Sequence, residues 1–499
     1  MSAEQPRLSY RFGPLERHGL LGPVRGGQAI VLLAGVLLAI LALDLAPSVG
    51  GLLLASSALT AALGLATVPL GSRGADEWAP IAASFAARAL SGRLAFRSRA
   101  PTGGVRARVM HGSAILQSAS PAPPPALRGV RITALAYRTR PVGALAEERG
   151  RRLTAVLACR AATFALLDPE AQERRLARWG LVLSAAAGTP VRRIQWVERT
   201  APASGDELAR WLHGQRDPQL PLRGTPIVDS YLELIGASAQ VAQEHEILIA
   251  IQIDGQRVRE RGADASGRAL LEQAERLAVR LRAAEIEVLG ALSPQQLGRV
   301  LRTAFDPFGR AELAALESAD PGRGGVEEAS AWPLGAAESW DRYRSDGAEH
   351  ATYWIGGWPR VEVSPMFMDA LLGRTSSVRT VAVTFEPIPP HRSTREVEAA
   401  ITRDRAEGEL RARIGQSETA RQRQAREATL RREAELAAGH CELRLAGFVT
   451  VSGRNVEELR RGCAEVVEHA ARARLELHRM YGQQAEAFTF TLPLCRGLR

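Results

Sequence analysis

The chain has no lysine. Its 64 basic residues are all arginine, set against 54 acidic ones, for a net charge of +10. Codon bias in a GC-rich genome explains an arginine-only complement, and the chemical consequence holds whatever the cause. A Walker A loop needs Gly-x-x-x-x-Gly-Lys-Ser/Thr, with the lysine on the phosphates, so that nucleotide site is impossible here. A Schiff-base lysine is excluded in the same way. Cysteine is scarce: Cys159, Cys441, Cys463 and Cys495 lie far apart and form no Cys-x-x-Cys pair. That spacing offers no zinc ribbon or disulfide framework and fits a reducing compartment. His-Glu-x-x-His and Gly-x-Ser-x-Gly are both missing. His440 and Cys441 are adjacent, but no second pair stands at metal spacing. Glu244, His245 and Glu246 read as a solvated strand edge. Pro321-Gly-Arg-Gly-Gly325 has no strand before it and so is a poor phosphate loop. The expectation is a non-enzymatic chain with no cofactor and no metal.

What the sequence does have is a long apolar stretch, Gln28 to Leu70. It reads as two segments, Ala29 to Ala46 and Val49 to Leu70, around a turn rich in Pro, Ser and Gly. A membrane span needs about 20 mostly apolar residues. The second segment satisfies this outright. The first does so with Asp44 at the interface. Two runs without a clear cleavage site argue for a retained hairpin over a signal peptide. Arg7, Arg11, Arg17 and Arg25 precede it, and Arg73, Arg88, Arg93, Arg97 and Arg99 follow it, while the turn carries no arginine. By the positive-inside rule both flanks are expected in the cytoplasm.

Downstream, Trp78, Ile81, Phe85, Ala89 and Leu94 recur at helical spacing between Asp76 and Arg99. An aromatic-and-arginine helix beside a span is expected to lie in the membrane interface. From Val130 onward short apolar runs alternate with amphipathic ones. Strands are expected at Val130 to Tyr137, Leu153 to Ala158, Val191 to Glu198, His245 to Ile253, Ile286 to Leu289, His350 to Ile355, Val378 to Ile388, Cys441 to Val451 and Leu475 to His478. Helices are expected at Pro169 to Ala187, Gly205 to His213, Thr225 to Gln243, Ser266 to Ala284, after the cap Ser293, at Ser364 to Leu372, at Ser393 to Ala438 and at Asn455 to Ala473. The fold class is thus α+β (mixed α/β), a cytosolic region preceded by a two-helix transmembrane hairpin. Its expected parts are a basic arm (1–27), the hairpin (28–72), an amphipathic helix with a Pro-rich linker (73–128), a first α/β domain (129–306), a linker (307–334) and a second α/β domain (335–499). The last holds a long charged helix at 393–438. Trp332, Trp340, Tyr343, Tyr353, Trp354 and Trp358 form an aromatic cluster. Aromatics more often fill a core than a docking surface.

Three further stretches carry a family resemblance: Ala304-Phe-Asp-Pro307, Ala337-Glu-Ser-Trp-Asp-Arg-Tyr343, and Tyr481-Gly-Gln-Gln-Ala-Glu-Ala-Phe488 with Leu492-Pro-Leu494. With the basic arm and hairpin, the chain resembles actinobacterial conjugation proteins related to type IV secretion. In these a PrgI-type hairpin is joined to a region like the N-terminal domain of the secretion ATPase. The resemblance implies a structural subunit of an inner (plasma) membrane complex, multi-pass, with both termini cytoplasmic. It implies contacts with membrane lipid, a separate secretion ATPase and other secretion subunits in an oligomeric assembly, with nucleic acid only as transported cargo. Trp340, Tyr343, Tyr481, Gln483 and Phe488 are the candidate partner-docking residues. An E-type core component of a type VII secretion system also joins a hairpin to a cytosolic α/β domain and is the alternative. A membrane-tethered enzyme such as a glycosyltransferase is a third, and it lacks the acidic metal-binding pair it would need.

Overall fold

The computed structural model describes residues 26–67, 69–70, 73–98, 123–138, 140–161, 164–202, 243–258, 260, 264–310, 313, 328–359, 363–414, 419–437 and 441–498, with 226, 229–230 and 233–234. The basic arm to residue 25, the expected helix at Gly205 to His213, most of that at Thr225 to Gln243, and Pro321 to Gly325 lie outside them.

The apolar stretch forms two helices, α1 (Gly26–Leu45) and α2 (Val49–Thr67). Both are long and apolar enough to cross a membrane. Small residues let them approach closely. A Cβ on Gly35 would stand 2.3 Å from that of Ala62, and one on Gly51 would strike the Ala46 carbonyl. Ala39, Ala55, Ala62 and Ala66 are buried, while Leu, Ile and Val side chains point outward. Ser56, Ser57 and Thr60 bond back to carbonyls of their own helix, as hydroxyls in an apolar medium require. Asp44 is exposed one residue from the end of α1.

The rest is built on one antiparallel sheet. In chain order, α3 (Ala75–Leu90) leads into β1 (Ala95–Arg97), β2 (Arg131–Leu135), β3 (Val142–Glu147) and β4 (Arg152–Ala161). Then come α4 (Pro169–Ser184), β5 (Val191–Pro202), β6 (Gln243–Asp254), α5 (Ala265–Ala283), β7 (Ile286–Ala291) and α6 (Pro294–Phe305). These are followed by β8 (Gly335–Glu338), β9 (Tyr343–Ser345), β10 (Ala348–Gly357), β11 (Val378–Pro387), α7 (Pro390–Ile414), α8 (Ala420–Ala437), β12 (Leu443–Gly453), α9 (Val456–Arg472) and β13 (Glu476–Arg479). The order across the sheet is β1-β8-β9-β10-β12-β11-β5-β6-β4-β3-β2.

The registers show the same plan twice. β4 pairs at its start with β3, at its end with β7, and along its other side with β6. β10 does the same with β9, β13 and β12. Each centre belongs to a β-α-β-β-α-β unit, and each unit closes on a helix beneath the sheet, α6 in the first and Gln484–Phe488 in the second. In the second unit the short helix Asp369–Leu372 takes the place of α4. The units join edge to edge through β5 and β11, from Ile194↔Phe385 to Thr200↔Arg379. A two-fold axis normal to the sheet requires this antiparallel meeting of equivalent strands. The boundary expected at 307–334 falls between the units, but the sheet runs through both.

Two apolar layers sandwich the sheet. On one face α4, α5 and α9 cover Ile194, Ile249, Ile251, Val381 and Val449, with Trp196 touching the clusters of both units. On the other face α6 and the C-terminal segment cover Val156, Val197, Ala250 and Ala382. Local sequence sets the helix starts. Ser293 makes a full capping box with Gln296 ahead of α6, and Asn455 accepts from Glu457 N and Glu458 N to open α9; such caps satisfy otherwise orphaned amides. The long charged helix expected at 393–438 is two helices: α7 ends at Ile414 and α8 starts at Ala420.

The C-terminal segment straps the seam. Gln195, fully buried on β5, donates to Phe490 O and accepts from Cys495 N, both at 2.8 Å. Gln252 donates to Leu494 O, Thr384 to Arg496 O, and Arg193 to Cys495 O and Leu498 O. Gln195→Leu leaves a buried amide and carbonyl unpaired, so unfolding stability should fall by roughly 2–4 kcal/mol. Ser293→Ala should cost only about 1 kcal/mol. Denaturant titration of the two variants measures the contrast.

Candidate functional site

The site most exposed to functional demand is where the hairpin meets the sheet. α3 starts within eight residues of the end of α2 and packs against α1, α2 and the sheet edge. Its stripe Trp78, Ile81, Phe85 and Arg88 follows helical spacing. The expected seat of that stripe was the membrane interface. The structure instead turns it onto the domain.

Four rings make the contact. Trp340 lies 6.0 Å from Trp78, 5.2 Å edge-on from Phe85 and 6.5 Å from Tyr481, and Trp78 lies 6.0 Å from Tyr481. Such pairs contribute about 0.5–1.5 kcal/mol each beyond the area they bury. Gly482 allows the fit. Its φ is +67°, and a Cβ there would stand 2.6 Å from the Trp340 ring and 2.9 Å from Ile81. Its amide donates to Trp340 O at 2.7 Å.

A buried ion pair fastens the far end of the stripe. Arg88 donates to the Glu338 carboxylate and to Gly482 O. Glu338, whose side chain is 3% exposed, also accepts from Ala485 N at 3.2 Å. Its own amide donates to Leu94 O at 2.8 Å, where β1 joins β8. One residue thus ties α3, β1, β8 and the helix Gln484–Phe488. Burial pushes the Glu338 carboxyl up, against the lowering pull of Arg88.

Of the five candidate docking residues, Trp340 and Tyr481 meet in this junction, and Trp340 remains 37% exposed. Gln483 is half-buried and lines a cleft of about 1650 Å³ walled by α3, Phe96, Val130 and Phe490. Tyr343 and Phe488 are interior, with ring centroids 5.3 Å apart. Phe488 also packs 4.7 Å from His350. That histidine is fully buried between Ser345 and Ser452, each at 2.8 Å, and burial drives its pKa down to about 3. Tyr343 and Phe488 belong to the apolar layer that also holds Phe305 and Leu301 of α6. Cys159 is likewise interior, and burial pushes its thiol up to about 12. Among the described residues no three His, Cys, Asp or Glu side chains converge to hold a metal.

The sequence reading missed Arg88, Glu338 and Gly482 as partners. Arg88 stood in the same helical stripe as the aromatics. Glu338 lay inside a quoted motif, but nothing in the sequence pairs it with a residue 250 positions away.

The ion pair gives a pH signature. The folded pKa of Glu338 lies above its unfolded value, so folding favours the protonated form. Its contribution is fully present below the unfolded pKa and is lost as pH rises through the raised one. Emission from the Trp78–Trp340 cluster should therefore show a junction that loosens as pH rises through the raised Glu338 pKa. Glu338→Gln should flatten that slope, and an unchanged slope assigns it to another group.

Residues 235–355 match a family model described as EccE, a putative type VII ESX secretion system translocon. No curated protein matches the chain. The matched span runs through β6, α5, β7, α6, β8, β9 and most of β10, crossing from the first unit into the second. This overturns the resemblance to type IV secretion and conjugation proteins. The motif Ala337 to Tyr343, quoted for that resemblance, lies inside the type VII match.

Proposed function

We propose that this chain is a membrane subunit of a type VII secretion system, a non-catalytic scaffold that fixes a cytosolic sheet domain beside the translocation path. The match to the EccE family over residues 235–355 carries the reading. Two spanning-length helices joined to the domain through α3 agree with a membrane component. Trp340 at the junction is the residue most open to a neighbouring subunit.

The scaffold works by stiffness. The Arg88–Glu338 pair and four rings hold α3 to the sheet edge, while small residues hold α1 to α2. A push on the domain then reaches the hairpin through packed side chains. The lysine-free sequence contains no Walker A site, which agrees with a division of labour between this scaffold and an energy-supplying partner. A separate secretion ATPase is the partner this division of labour calls for. The arginine bias on both sides of the hairpin supports a topology with both termini in the cytoplasm.

Deleting the gene should abolish export of type VII substrates, with restoration by the intact chain. Normal export in the deletion strain contradicts the reading. For topology, a reporter active only outside the cytoplasm should work when fused in the turn after Pro47 and fail when fused after Leu498. The reverse pattern overturns the orientation.

A further inference from the structure

The repeat isolates a feature that the fold does not need. In both units the connection between the second and third strands carries an insertion, residues 203–242 between β5 and β6 and residues 388–442 between β11 and β12. The second is the α7–α8 hairpin. Its two ends are ladder neighbours. Pro387 pairs with Leu443, and Ile388 N donates to Glu442 O at 2.9 Å. A tight turn could close that ladder in its place.

The hairpin is fastened to the domain near its base. Val397 and Ser393 are buried. Glu396 accepts from Arg392 at 2.9 Å and faces Arg444 at 3.5 Å, and Arg432 pairs with Glu442. Farther out, the described side chains are nearly all exposed. α7 has 25 residues, a reach of roughly 37 Å at about 1.5 Å per residue. Helices polar on every side obtain little stability from the core they leave.

Charge along this arm is uneven. In sequence, Arg411, Arg413, Arg421, Arg423 and Arg426 fall at the end of α7 and the start of α8, and Glu418 is the one acidic residue between positions 411 and 426. Arg413, Arg423 and Arg426 are exposed. Acids and arginines alternate along the shaft, at Glu398, Arg403, Asp404, Arg405, Glu407 and Glu409. No Phe, Trp or Tyr occurs from 390 to 440, so the arm lacks the aromatic platforms on which single-stranded bases stack. The shaft's carboxylates would repel a phosphate backbone lying along it. The arm also lacks the apolar face of a lipid-binding helix. Guanidinium groups presented without these features fit protein carboxylates, which they bind through two parallel hydrogen bonds.

We propose that the α7–α8 hairpin is a docking arm whose arginine tip seats on an acidic surface of another protein subunit of the same membrane assembly. The proposal rests on the secretion-complex reading for where that partner is found. The test uses the full chain in native membranes, with a photo-crosslinking residue in place of exposed Gln424 and mass spectrometry of the product. The expected product is an Asp- and Glu-rich peptide of another secretion subunit. Its yield should fall on the order of tenfold in the combined variant Arg413→Glu, Arg423→Glu, Arg426→Glu, as for a charge-steered contact. Replacing residues 402–433, the probe position included, with a short Gly-Ser turn should leave the melting temperature of the domain unchanged. Yield insensitive to charge reversal, or crosslinks only to lipid, nucleic acid or this chain, overturn the proposal. So does a domain that unfolds without the arm. If secretion subunits co-purify with the unaltered chain and the tip crosslinks to none of them, the arm proposal alone falls. If none co-purifies, the secretion reading falls with it.

Discussion

The pairing of β5 with β11 is the contact on which the rest of the domain depends. It turns two small units into one sheet, so that helices on one face and the C-terminal segment on the other can span both. Strand pairing alone leaves that seam open to slippage. A one-residue shift would send each side chain of a strand to the opposite face. Gln195 prevents this by reading the strap at two points, Phe490 O and Cys495 N. The last residues of the chain are therefore part of the fold's centre. The segment from Phe490 to Leu498 is the element that holds the two halves in register.

The membrane hairpin is coupled to this sheet at an edge. β1 adds three residues to β8, and α3 lays its aromatic stripe over Trp340 and Tyr481. Edge strands are otherwise exposed to unwanted pairing. The same contact thus shields the edge and fixes the domain's position relative to the hairpin. Glu338 sits where these two roles meet, since its backbone serves the β1 pairing and its side chain serves α3.

Much of this was legible from the residues, for reasons that differ by element. The hairpin announces itself by apolar length, and α6 and α9 by their caps Ser293 and Asn455. β3 was missed. Val142-Gly-Ala-Leu-Ala-Glu147 has one β-branched residue and no alternation, because all six positions are buried. The break between α7 and α8 was missed because Gly415 is a single weak signal in a run of good helix formers. The repeat left no trace in the sequence. Laying β4 on β10 puts Thr154 opposite His350, and each is buried by a different polar network. Registers carry the repeat, and registers are not written in single residues. The seat of α3 was misread because a membrane interface and an aromatic protein surface ask for the same side chains. Only the partner, Trp340 with Glu338, separates them. Of the docking candidates, Trp340 and Tyr481 reached the junction, while Tyr343 and Phe488 serve the interior, as most aromatics do.

The central physical claim is that hairpin and domain move as one body through α3. Spin labels at Leu59 on α2 and Val467 on α9, in the full chain reconstituted in lipid with its four cysteines replaced, measure it directly by electron–electron distance spectroscopy. The account predicts one narrow distance distribution that broadens when Glu338 and Trp340 are both replaced by alanine. A broad distribution in the unaltered junction, or one indifferent to those replacements, would contradict it.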